Sequence, residues 1–246
     1  SYRDILDKVD AVSIVTPTIT HYKIAKFFLE NKKHVLLEKP MTETISQACS
    51  INKIAKKNKC ILQIGHLEQF NPAIKKLKSQ LKNPEFIEVH RLCKFNPRAT
   101  DVDVVLDLMI HDIDIVLSLV NHEIKKISVS GKKVITELID IANVRIEFKN
   151  NVVANLTASR ISTKNERKMR IFLKNSYYSV DFITNELKKL NKNKNNTFKH
   201  VDYKFKKSDS LREEINNFIK ACYGKEKSVT TGVEGQKALA VAKKIT

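Results

Sequence analysis

Asp107 and His111 stand four residues apart in the run DLMIHDID, and Asp114 follows three residues later. On a helix these three share one face. A carboxylate that orients an imidazole equips it to take a proton near neutral pH. The run is otherwise strongly apolar, and polar groups buried there without partners would be costly. A buried His–Asp pair that merely holds the helix would look the same, and so would metal ligands. No second His/Cys cluster lies close in sequence, so no metal is expected. Glu38-Lys39-Pro40 closes the apolar run HVLL. A lysine held there could polarise a reacting oxygen, or move a proton if burial lowered its pKa. The chain has 37 lysines, so a solvated loop lysine is the ordinary alternative. Thr16-Pro17, with His21 shortly after, closes the apolar run AVSIV. Gly65-His66 to Asn71-Pro72 follows a third such run, and Arg160, Arg167 and Arg170 could bind an anionic group.

The elements around these residues explain why they could meet. Ala11–Val15, His34–Leu37 and Cys60–Ile64 read as short buried strands. Between them, 21–31 and 44–57 carry apolar residues at helical spacing, with Thr44 as a cap. Strand–helix–strand–helix–strand implies a parallel sheet, whose ligands bind beyond the strand C-termini. Thr16, Pro17, His21, Glu38, Lys39 and Pro40 all fall on that edge. From residue 85 the rhythm changes. One helix spans 104–120. Strand-like runs at 86–94, 127–129, 133–138, 142–148, 152–159, 167–172 and 176–182 suggest an antiparallel meander. Helices at 211–223 and 233–245 close the chain. The expected fold is α/β: a small parallel sheet over 1–72, then an α+β domain over 73–227 with a largely antiparallel sheet. The helix within 228–246 is expected to pack back on the first part.

Composition narrows the function. Hydrophobic residues make up 42% of the 246 and charged residues 29%, which is globular and not disordered. No apolar run reaches the ~18 residues that cross a bilayer, and the charged N-terminus lacks a signal-peptide core. No membrane partner is expected. Four well-separated cysteines suggest free thiols in a reducing compartment, hence the cytoplasm. The net charge is +18, but only eight of the 45 basic residues are arginine. Base readout and planar phosphate recognition favour arginine. The dense basic run at 188–207 reads as a solvated hairpin or loop, and no nucleic-acid partner is expected.

The segments VTPTITH, LLEKPMTETISQA, GHLEQFNPA, DLMIHDIDIVL, ASRIS and SVTTGVEGQKALAVAKKI resemble, in order and spacing, the glucose–fructose oxidoreductase / inositol dehydrogenase / rhizopine-catabolism family. These are NAD(P)-dependent sugar and cyclitol oxidoreductases. GHLEQFNPA, the DLMIHDID helix and ASRIS look most like the branch that acts on nucleotide sugars, such as UDP-N-acetylglucosamine 3-dehydrogenases. The resemblance implies a truncated Rossmann-like first domain and a cofactor that is NAD or NADP. It implies Lys39 at the nicotinamide ribose and reacting hydroxyl, His111 as acid/base, and Asp107 supporting the histidine and binding substrate. Thr16, Pro17 and His21 would flank the cofactor, Glu38 and Pro40 would fix the lysine turn, and Asn71 and Arg160 would touch substrate. The family's Gly-x-Gly-x-x-Gly turn would lie upstream of residue 1. None of Gly65, Gly131, Gly224, Gly232 and Gly235 replaces it. A remnant without catalytic activity is therefore the alternative expectation. The open face of the meander suggests a homo-oligomer.

Overall fold

A computed structural model describes residues 1–97, 102–193, 195–206 and 209–246. After a 3-10 turn at Tyr2–Lys8, the chain forms β1 (Ala11–Ile14), α1 (Thr18–Glu30), β2 (His34–Leu37), α2 (Ile45–Lys57) and β3 (Leu62–Ile64). The strands pair in parallel in the order β1-β2-β3. Val35, Leu37 and Ile64 are wholly buried, as expected for strands covered on both faces. Thr44 caps α2 by a reciprocal box: its hydroxyl accepts from the Gln47 amide, and the Gln47 side chain accepts from the Thr44 amide, both at 3.2 Å.

The second unit begins at Phe70. Pro72–Gln80 is a helix, α3, capped by Asn71, whose Oδ1 accepts from the Ala73 amide at 2.9 Å. Then come β4 (Phe86–Leu92), a π turn (Val105–Met109) that runs straight into α4 (Ile110–Val120), β5 (Ile124–Lys132), β6 (Ile141–Phe148), β7 (Val153–Ser159), β8 (Glu166–Leu173), β9 (Ser176–Asp181), β10 (Glu186–Lys192) and β11 (Phe198–Lys204). They form one sheet, β11-β10-β9-β8-β4-β7-β6-β5. Every pair is antiparallel except β4 with β7. The basic run forms the β10–β11 hairpin; Lys194 and Lys207, within it, lie outside the described residues.

Residues 133–138, expected as a strand, form a loop instead. Its amides at Val134, Ile135 and Thr136 all donate to one oxygen of Asp140, at 2.8, 2.7 and 2.9 Å. A carboxylate that draws three successive N–H groups to one point leaves none for a ladder.

Two helices complete the chain, α5 (Ser210–Cys222) and α6 (Gly232–Ile245). The sequence placed α5 in the second domain; its contacts place it in the first unit, which comprises Ser1–Gln69 and Asp209–Val241. The reason is Gln63 on β3. Its Nε2 donates to the Glu214 carbonyl at 3.2 Å, and its Oε1 accepts from Ser228 Oγ at 2.9 Å. The chain after α5 covers the edge of β3. The Thr230 carbonyl accepts from the Ile64 amide at 2.8 Å, and its hydroxyl donates to the Ile64 carbonyl at 2.6 Å. The second unit is Phe70–Ser208 with Ala242–Thr246.

Within the second unit β4 and α4 are joined by an enclosed ion pair. Arg91 Nε and Nη2 each donate to Asp112 at 2.8 Å, and both residues are buried. Removing one partner leaves the other charged and enclosed. Arg91→Ala is therefore expected to lower the unfolding free energy by about 3–5 kcal/mol in urea melts. Replacing both residues with apolar side chains of similar volume should cost far less.

Candidate active site

The first unit sets its polar residues at the C-terminal ends of β1 and β2. Thr16 and Pro17 are exposed beyond β1. Glu38 and Lys39, beyond β2, are half-buried, and Pro40 is buried. The Glu38 carboxylate folds back to accept from the Lys39 amide at 3.2 Å. It lies over Gly65, where any Cβ would come within 2.8 Å of Glu38 Oε2. His21, expected beside a cofactor, points inward. It is 1% exposed and lies between two backbone carbonyls, Thr16 O at 2.7 Å from Nε2 and Pro40 O at 2.9 Å from Nδ1. One side chain thus joins the loop after β1 to the loop after β2.

Glu214, on α5, is a residue that sequence reasoning missed. It is 1% exposed, and its Oε1 is enclosed with no hydrogen-bond partner among the described residues. Burial first, and the nearby Glu38 second, push its carboxyl up to about 8. In the sequence Arg212-Glu213-Glu214 looks like a solvated charge cluster.

In the second unit Asp107 and His111 belong to one continuous segment, but not to one uniform α-helix. Asp103 Oδ1 accepts from the Val105 and Leu106 amides at 2.8 and 2.9 Å. The turn that follows is π, closed by the Ile110 amide donating to the Val105 carbonyl. Such widened turns recur at functional sites. Asp107 lies in this turn and His111 is the second residue of α4; both are half-buried. The neighbouring acids point inward. Asp112 is held by Arg91. Asp114 is buried, and its charge supports Lys78, whose ammonium burial pushes below its usual range.

Arg160 and Asn71, both expected at substrate, are placed in the interior. Arg160 is 3% exposed. Its Nη2 donates to the Val102 carbonyl at 2.5 Å and to the Ile139 carbonyl at 3.3 Å, and its Nε lies 3.7 Å from Asp140. It therefore braces the entry to the π turn. Burial raises the Asp140 carboxyl, but the amides of Thr136, Ile135 and Val134 and the Thr136 hydroxyl outweigh it and hold the group far below the carboxylate range. Asn71 caps α3 and donates to Asn185 Oδ1 at 3.2 Å. Among the described residues no group of three or more His, Cys, Asp or Glu could hold a metal ion, and no helix is long and apolar enough to cross a membrane.

The parallel sheet carries polar side chains at its strand C-termini, the edge where open α/β sheets bind ligands, and a large mixed sheet follows whose helical segment carries Asp-x-x-x-His. Residues 1–66 match the oxidoreductase family with the NAD-binding Rossmann fold, GFO_IDH_MocA, and residues 82–178 match the GFO/IDH/MocA C-terminal domain. The chain belongs to this family. It is 35% identical, over 97% of its length and 78% of the relative's, to UDP-N-acetylglucosamine 3-dehydrogenase of Acidithiobacillus ferrooxidans. A solved structure of that enzyme superposes with a TM-score of 0.94 at 36% identity, covering 100% of this chain and 80% of the other. An inositol dehydrogenase homologue of Azotobacter vinelandii, solved with NADH and myo-inositol, shares the fold at 15% identity and a TM-score of 0.86, over 100% of this chain and 79% of that one.

Proposed function

We propose that the chain transfers hydride between a nicotinamide nucleotide, NAD or NADP, and a hydroxyl-bearing carbon of a nucleotide sugar of the UDP-N-acetylglucosamine class. The observation that carries this is the 35% identity to the 3-dehydrogenase over 97% of the chain. The residues present fit the nicotinamide end of such a cofactor: exposed Thr16 and Pro17 and half-buried Lys39 on the ligand-binding edge of a parallel sheet. No glycine-rich turn for the diphosphate occurs in the sequence. When bound, the nicotinamide supplies the hydride acceptor or donor. Lys39 holds the ribose and polarises the substrate oxygen. His111 takes the hydroxyl proton in oxidation and returns it in reduction. Asp107 orients His111 and binds a substrate hydroxyl.

The test is an absorbance assay with UDP-N-acetylglucosamine and either NAD or NADP. Substrate-dependent formation of reduced nicotinamide, lost in Lys39→Ala, is the expected result. No reduced nicotinamide with either nucleotide would contradict the reading.

A further inference from the structure

We propose that His21 is a positioning residue for Lys39: its buried imidazole clamps the loop after β1 to the loop after β2. The inference rests on the reading of Lys39 as the group that meets cofactor and substrate. Its geometry is independent of that reading. The ring is 1% exposed, and its hydrogen-bond partners among the described residues are the Thr16 carbonyl at 2.7 Å and the Pro40 carbonyl at 2.9 Å. A carbonyl oxygen only accepts, so the ring supplies the donor, and it sits between the main chains of both loops.

Glu38 and Lys39 stand in the loop the ring grips, and Glu38 turns its carboxylate to the Lys39 amide.

The consequence falls on Lys39. Its amide is held by Glu38 on one side, and the next carbonyl, that of Pro40, is held by His21 on the other. The lysine backbone is fixed at both flanks, and the same ring fixes the exposed Thr16. One buried side chain thus sets the spacing of both loops on the ligand-binding edge.

Amide hydrogen exchange on the full chain without nucleotide tests this, in wild type, His21→Phe and His21→Gln. Phenylalanine keeps a buried ring but removes both nitrogens; glutamine keeps a polar end. In His21→Phe, exchange at Lys39 is expected to quicken at least tenfold while the β2 amides of Val35 and Leu37 keep their protection, and His21→Gln is expected to fall between it and wild type. An unchanged rate at Lys39 in folded His21→Phe would overturn the proposal. Should that variant fail to fold, His21→Gln decides, and a wild-type rate there would overturn it. No nucleotide is present, so a chain that binds none would sink the cofactor reading and leave the clamp standing.

Discussion

His111→Asn is expected to lower substrate-dependent nicotinamide reduction by about 10²- to 10⁴-fold, the usual contribution of a positioned acid/base. The side chain keeps its approximate size and loses the ability to move a proton at the working pH. Melting temperature should stay close to wild type, because His111 is half-buried and is the second residue of a helix whose apolar side chains, such as Ile113 and Val116, are wholly enclosed. The affinity for nicotinamide nucleotide should also be unchanged, because the residues proposed to hold it lie in the loops after β1 and β2. Asp107→Asn should give a smaller loss, since it removes only the charge proposed to support His111 and leaves the imidazole itself in place. Stopped-flow absorbance with saturating nucleotide separates the two. A His111→Asn chain with undiminished turnover would remove the residue from the chemistry.

Glu214→Gln is expected to flatten the pH dependence of stability. The Glu214 carboxyl lies at about 8 in the folded chain, raised by burial and by Glu38, against about 4.5 when unfolded. The folded state therefore binds more protons than the unfolded state between these values. The stability that Glu214 contributes is present in full below about 4.5 and is lost as pH rises through about 8. Each pH unit in that window costs about 1.4 kcal/mol for one such group, so several kcal/mol is an upper bound across the window. Glutamine has the same shape and no titration. In urea melts from pH 5 to 8.5, wild type should weaken progressively relative to Glu214→Gln. Parallel curves for the two proteins would show that the carboxyl ionises in the folded state as it does in water.

The parallel part of the fold was legible because its signals are local. Short apolar runs end in Thr-Pro, Glu-Lys-Pro and Gly, and Thr44 and Gln47 spell a capping box that the structure closes. Residues 133–138 were misread because Val134, Ile135 and Thr136 are strand formers in type. Their fate is decided by Asp140, which captures their amides. Periodicity placed Asp107, His111 and Asp114 on one helical face, but it could not register the π turn that Asp103 initiates. Nor could it show that Asp112 would take Arg91. The candidate-site residues were found by type and by strand-end position. What sequence could not reveal was which of them spend their polar atoms inside the protein. His21, Asn71 and Arg160 do so, whereas Thr16 and Pro17 stay exposed. Glu214 carries no sequence signal: it is 1% exposed, and the side chain that binds its carbonyl, Gln63, is 151 positions away along the chain.

Calorimetric titration of the purified chain with NADH and with NADPH decides whether a nicotinamide nucleotide is held against Lys39, as proposed. Binding at micromolar concentrations to one or both is expected, weakened at least tenfold in Lys39→Ala without loss of folding. No heat of binding up to millimolar nucleotide, from a chain that melts cooperatively, would refute the proposal.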